Sequence, residues 1–204
     1  MRKLFLITAV ALFFATTGAY AQDVTTGTMT DPRDGQVYPT ITFGDFLLGT
    51  NVTWMAHNLN YKVSEGCWAY DNNEKYRKNL GLLYTWEVAK NVCPDGWHLP
   101  NETEWNMLVD YFGGEEKAGI ALKSTQGWKD GGNGDNSSGF NALPAGCRYP
   151  SFMALGECAT FWSSLHYDNT VYRRSLAYNK DKVSRNDNFR RDADDACSVR
   201  CVKD

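Results

Sequence analysis

The chain has 204 residues, 14% of them aromatic, and carries 24 acidic against 21 basic side chains. That acidic balance argues against a general nucleic-acid binder, which needs a basic surface to meet phosphates. Its one pronounced apolar run, Leu4–Phe14, is too short to span a bilayer comfortably, so the chain is not read as membrane-spanning.

That run fits a secretion signal over residues 1–21. Arg2 and Lys3 give the positive start, and Ala19-Tyr20-Ala21 supplies the small-x-small cleavage pattern. No cysteine follows the run, which argues against a lipid-anchored precursor. Cleavage near Ala21 leaves 183 residues at a net charge of −5, enough for one domain with a sizeable core. The expected destination is the periplasm, the cell envelope or the medium. All six cysteines lie beyond the signal, and an even count in an exported chain favours disulfides. There is no C-x-x-C pair, and His57, His98 and His166 are scattered, so zinc-ligand spacing is absent.

Residues 22–33 read as a loose, polar, Thr-rich leader, and residues 34–204 as the domain. Gln36–Phe43 is the first predicted strand, with Pro39 pushing it toward a sheet edge. Val52–Met55 is the second, and His57 after it reads as a structural histidine. Cys67–Asn79 is a polar loop rich in Tyr and Asn.

Gly81–Gly114 is the strongest local signal, two helix patterns back to back. Leu82, Trp86, Ala89 and Cys93 share one face of the first, which Pro94-Asp95-Gly96 breaks. An extended link follows. Asn101 then caps the second helix, with Glu104 completing a capping box. Trp105, Leu108, Val109 and Phe112 form its apolar stripe, and Gly113-Gly114 stops it. A short third helix is predicted over Glu115–Lys123, with Ala118, Ala121 and Leu122 inward.

Lys129–Ser138 is the most loop-like segment. Asp130, Asn133, Asp135 and Asn136 are oxygen donors of the type calcium takes, although their spacing does not match the EF-hand loop. The plainer reading is a solvated turn, and no cofactor is otherwise called for. Phe140–Pro144 returns to the core, and Cys147 and Cys158 bracket a loop they could staple. Thr160–Ser164, Val171–Tyr178 and Lys182–Asn186 are strands, with Tyr172, Arg174, Leu176 and Tyr178 on one face of the second. Asn186–Ala196 is turn-like. Cys197–Val202 closes the chain with Cys197, Val199 and Cys201 on one face. An early helix ending in Cys93 and a final strand holding Cys201 suggest a long-range staple, worth roughly 4–5 kcal/mol in the chain-entropy model.

Several ordered motifs resemble the Fibrobacter succinogenes major paralogous domain family, which occurs mainly on exported proteins of Bacteroidetes and Fibrobacteres. They are Trp54–Tyr61, Leu83–Trp86, Cys93–Pro100, Glu104-Trp105, Leu122–Thr125, Gly127-Trp128, Gly139–Gly146, Phe161–Ser164 and Ser198–Val202. Trp86–Leu99 and the capped helix are also similar to the first helical part of C-type lectin-like domains. There a helix cysteine pairs with one in the last strand, which implies Cys93–Cys201. Cys147–Cys158 is the second pairing expected, and Cys67–Cys197 is left by elimination among fifteen connectivities. The implied fold is α+β and C-type lectin-like: two main helices on short twisted antiparallel sheets, a long loop region and disulfide staples. The chain lacks the Glu-Pro-Asn and Trp-Asn-Asp signatures of calcium-dependent sugar binding. It also lacks a recognisable formylglycine-generating cysteine site.

The functional reading is a non-enzymatic binding module, for adhesion or for recognition of a glycan or protein ligand on the cell surface or in the environment. Its candidate contacts are Trp162, His166, Tyr167, Asp168, Asn169, Tyr172, Arg174, Tyr178, Asn186 and Asn188, since aromatics and arginines dominate binding hot spots. An envelope assembly component is the first alternative. A secreted hydrolase is the second, but G-x-S-x-G is absent and Glu102 and Glu104 read as first-turn helix charges.

Overall fold

The computed structural model describes residues 24–44, 50–190 and 194–204, and their side chains except those of 187–190. The expected signal, residues 1–21, lies outside them. In chain order the elements begin with β1 (Thr25–Thr30), β2 (Val37–Phe43), β3 (Val52–Met55) and β4 (Cys67–Trp68). Next come α1 (Glu74–Leu80), β5 (Leu83–Thr85), α2 (Trp86–Ala89), β6 (Trp97–His98), α3 (Glu102–Tyr111) and α4 (Ala118–Leu122). The chain continues through β7 (Cys147–Arg148), β8 (Phe152–Met153), β9 (Cys158–Tyr167) and β10 (Thr170–Ala177). It closes with β11 (Val183–Arg190), β12 (Ala196–Ser198) and β13 (Val202–Lys203).

Two sheets form a mixed α+β fold. One runs β1-β2-β3-β13-β6, antiparallel throughout. The other runs β11-β10-β9-β12-β5-β4, with the β7–β8 hairpin attached through β12. Within it β12 and β9 run parallel, Ser198 opposite Phe161. The chain end joins the sheets, because β12 lies in one and β13 in the other. One core packs Trp54, Trp105, Phe140 and Phe161 as edge-on and tilted rings, with Trp54 and Trp105 centroids 4.7 Å apart. A second gathers Tyr84, Trp86, Trp162, Cys197 and Cys201.

The capped helix is as predicted. Asn101 Oδ1 accepts the Glu104 N–H at 3.0 Å, and Glu104 Oε2 accepts the Asn101 N–H at 2.8 Å. Trp105, Leu108, Val109 and Phe112 are buried. The first predicted helix is mostly not a helix. Leu83–Thr85 is captured as a strand between β4 and β12, and only Trp86–Ala89 is helical. Thr85 Oγ1 caps that short turn by accepting the Val88 N–H at 3.4 Å. Leu82, Trp86 and Ala89 are buried all the same, so the periodicity marked burial correctly and element type wrongly. Cys93 lies beyond the helix.

Four further expectations are corrected. Residues 25–30 of the presumed leader are a strand, paired with β2 from Thr25↔Thr42 to Thr30↔Val37. Pro39 is therefore not at an edge. It sits one residue past the last β2–β3 pair, Thr40↔Met55, where its carbonyl accepts the Ala56 N–H at 2.7 Å. The loop at Cys67–Asn79 contains α1, capped by Asn73 Oδ1 on the Lys75 N–H at 3.0 Å. The closing segment Cys197–Val202 is two strands with an irregular joint, buried on both faces. The third helix is real but shorter, with Ala118 and Leu122 buried and Ala121 half-buried.

Cys93 and Cys201 are joined, with Cα atoms 5.9 Å apart and 108 residues of sequence between them. Cys67, Cys147, Cys158 and Cys197 are thiols in this structure. The pairing Cys67–Cys197 is excluded by register. Both sit opposite Tyr84, one on each side of β5. Two strand spacings of about 4.8 Å separate them, beyond the ~7 Å Cα reach of a disulfide.

Candidate functional site

The structure does not bring the predicted contact residues together on one surface. Trp162 is 1% exposed and donates its Nε1–H to the Tyr84 carbonyl at 2.6 Å. Arg174 is 2% exposed, paired with Glu102 at 2.6 Å and bonded to Asn106 Oδ1 at 2.6 Å. Both side chains are buried and held by partners within the chain, and Arg174 also borders a small concavity with Asn106 and Arg185. The alternation read along Val171–Tyr178 holds from Arg173 on, with Arg174 and Leu176 buried on one face, and breaks at Tyr172, where the register shifts between Val171 and Arg173. Tyr178 is half-buried against the first core, with the Lys129 ammonium 5.5 Å from its ring. Tyr172 lies half-buried under the Arg185 guanidinium at 5.2 Å, and Asn186 donates to Ser175 Oγ at 2.7 Å. His166 leans on Trp86 at 4.9 Å, and Tyr167, Asp168 and Asn169 form the exposed β9–β10 hairpin tip. The Asn188 side chain lies outside the described residues.

The oxygens of the calcium-candidate loop accept from nearby backbone N–H groups. Asn133 Oδ1 accepts the Trp128 N–H at 3.1 Å, Asp135 Oδ1 the Ser137 N–H at 2.9 Å, and Asn136 Oδ1 the Asn141 N–H at 2.8 Å. Asp130 sits in the left-handed region at φ 49°. Three of the four side chains thus brace the loop backbone. Among the described residues no group of three or more His, Cys, Asp or Glu side chains is placed to hold a metal ion.

A cleft of about 710 Å³ lies elsewhere. Its first wall is the α1 helix with Lys75, Tyr76, Lys78, Asn79 and Leu80. His57 and Asn141 contribute the polar floor. Gln126-Gly127, Leu143-Pro144 and Leu155-Gly156 complete the lining. That volume falls in the range of about 300–1,000 Å³ typical of small-ligand sites.

Local chemistry explains why these segments converge. Asn58 is fully buried and ties three strands of chain together. It donates to the Leu80 carbonyl at 2.8 Å and to Ser198 Oγ at 3.2 Å, and its Oδ1 accepts from Arg200 Nε at 2.8 Å. Gly81 lets α1 end against it. At φ 75° a Cβ there would lie 2.8 Å from Asn58 Cβ and from the Leu59 carbonyl oxygen. Arg200 is fully buried without a carboxylate partner among the described residues. Its guanidinium donates to the carbonyls of Met55 at 3.2 Å, Phe140 at 2.6 Å and Asn141 at 2.8 Å, and lies 4.6 Å from the Phe140 ring centre. Burial pushes it down to about 9, still cationic at neutral pH.

The electrostatics of the cleft follow. Lys75 and Lys78 stand at its rim, Arg200 lies behind Asn141, and no Asp or Glu lines it. His57 stays neutral at neutral pH, because burial and the Arg200 charge both lower it. Its Nδ1 is 3.0 Å from the Asn58 carbonyl oxygen, so the ring is held by backbone rather than by a carboxylate. In a chain of formal charge −3 this is a locally positive basin.

Sequence reasoning missed this site because its residues are drawn from positions 57 to 156 and only the fold unites them. Two signals were available. Lys75 and Lys78 stand one helical turn apart in a segment read as loop. Arg200 is a lone charge inside an apolar closing segment, where only a buried, fully bonded guanidinium is tolerable.

The model of the Fibrobacter succinogenes major domain matches residues 49–203, and the chain belongs to that family. Most of the matched segment is the scaffold just described, from β3 and Asn58 to Arg200 and β13. No curated protein and no solved structure matches the chain.

Proposed function

We propose that this Fibrobacter succinogenes major domain chain is an exported binding module whose cleft between α1 and the 126–156 loops holds an acidic oligosaccharide. The observation that carries this reading is the charge of the lining: two lysines at the rim, a buried arginine behind the floor and no carboxylate. Carboxylate-bearing sugars meet such a basin favourably. The amides of Asn79, Gln126 and Asn141 suit hydroxyl groups, and the Tyr76 ring offers an apolar face. A role in binding rather than turnover is supported by the same lining, since glycoside hydrolysis usually needs a pair of carboxyl groups flanking the bond. A C-type lectin-like relationship is part of the proposal. Its support is the disulfide between the segment after α2 and the chain end, together with the two short sheets.

The test is titration calorimetry of the mature protein with oligogalacturonates and with neutral glucan oligosaccharides of equal length. The expected result is binding of the acidic series that weakens with added salt, as exposed charges are screened. The double variant Lys75→Glu/Lys78→Glu is expected to lose about tenfold or more, equivalent to ~1.4 kcal/mol. Equal affinity for both series, or no loss in the variant, would overturn the ligand class. Release of reducing ends from the acidic series would overturn the non-enzymatic reading.

A further inference from the structure

Three thiols converge where the β7–β8 hairpin meets the larger sheet. Gly146 pairs with Ala159 in a parallel bridge, and its N–H donates to the Cys158 carbonyl at 2.9 Å. This sets Cys147 and Cys158 on adjoining positions of the two chain segments, with Cys158 Sγ 3.6 Å from Thr160 Oγ1. Gly146 makes the close turn possible, because a Cβ there would stand 2.3 Å from the Met153 carbonyl oxygen. Cys197 on the adjoining β12 is fully buried and engages Arg173 instead. Cys158 is the half-buried member of the pair, and Cys147 lies deeper.

We infer that Cys147 and Cys158 are a built cross-linking site, closed into a second disulfide by exchange with a disulfide-bearing oxidant of the export compartment. The thiolate of Cys158 attacks one sulfur of the oxidant, forming a mixed disulfide and expelling one thiolate. Cys147 then loses its proton to solvent and attacks Cys158 Sγ, expelling the second thiolate. Two protein thiols are oxidised and one external disulfide is reduced to two thiols. The order follows from the site. Cys158 is the more accessible thiol and is held below its ordinary value, whereas Cys147, the deeper one, is held above it. The thiolate is the nucleophile in such exchange.

The bridge has a structural consequence. The 148–157 loop it closes carries Phe152, which packs on Tyr70 at 5.3 Å, and Leu155 and Gly156, which line the cleft. Tyr70 in turn meets Tyr76 on the opposite wall at 5.6 Å. Oxidation therefore fastens one side of the cleft to the sheet. This inference does not depend on what the cleft binds.

The experiment is oxidation of the purified protein with oxidised glutathione, unfolding, alkylation of the remaining thiols, and peptide mapping without reductant. The expected product links Cys147 to Cys158, with Cys67 and Cys197 alkylated and Cys93–Cys201 retained as internal control. Cys147→Ser should accumulate glutathione on Cys158, whereas Cys158→Ser should leave Cys147 largely unmodified. Cys197→Ser should leave the linkage unchanged. Limited tryptic cleavage after Arg148, inside the closed loop, should slow in the oxidised form. Cys147 and Cys158 both alkylated after oxidation, or Cys147 linked to Cys197, would overturn the inference. The wild-type map alone decides this even where a variant folds poorly.

Discussion

Two histidines in this chain titrate in opposite senses, and each reports its surroundings. Burial pulls His98 down, but hydrogen bonds to Asp204 at 2.6 Å and Glu104 at 2.7 Å outweigh it, and its proton is held more tightly than usual. A raised value stabilises the folded state below the unfolded value near 6.5, and that contribution is lost as pH rises through the folded value. His57 is lowered by burial and by Arg200, so it costs stability as pH falls below its ordinary value of 6.5. His98→Gln should therefore lower Tm most at about pH 5.5 and least at about pH 8.5. Calorimetric scans of both proteins across that range check it. A Tm gap that does not change with pH would mean the two carboxylates contribute nothing through His98.

At the scale of elements, α3 shows what local sequence can specify alone. Its capping box satisfies orphan backbone groups at the helix start, and Glu104 is shared with His98 on β6. Asn101→Ala is expected to cost about 1 kcal/mol, a Tm fall of roughly 2–4 °C for a domain of this size. Far-UV melting curves measure it. An unchanged Tm would show that α3 is held by packing and the Arg174–Glu102 pair alone. Helix α3 and strand β3 were legible in the sequence because their signals are contiguous: caps, a 3.6-residue stripe, a β-branched run. The Leu83–Thr85 strand was not. Its helical spacing is genuine, but pairing with β4 and β12 on either side outcompeted it, and strand pairing is decided by distant residues. The binding surface expected on β9 and β10 failed for a similar reason. The face shared by Arg174 and Leu176 is the buried one, and a register shift before Arg173 takes Tyr172 off it, which periodicity cannot reveal.

At the scale of the molecule, the chain end is the fastener. Residues 196–203 join both sheets, carry Arg200 into the junction and close the long disulfide loop with Cys93. That disulfide was legible from cysteine order, and the family membership from spaced motifs, whereas the cleft depends on contacts that no linear pattern displays. The rigid junction leaves α1 and the 126–156 loops to form a positive cleft on its rim. Amide chemical-shift mapping of the labelled protein, titrated with an oligogalacturonate, locates the ligand directly. The expected shifts cluster at Lys75–Leu80, Gln126-Gly127, Asn141–Pro144 and Leu155-Gly156, with the β9–β10 hairpin tip unmoved. Shifts confined to Tyr167–Asn169, or none at saturating ligand, would contradict it.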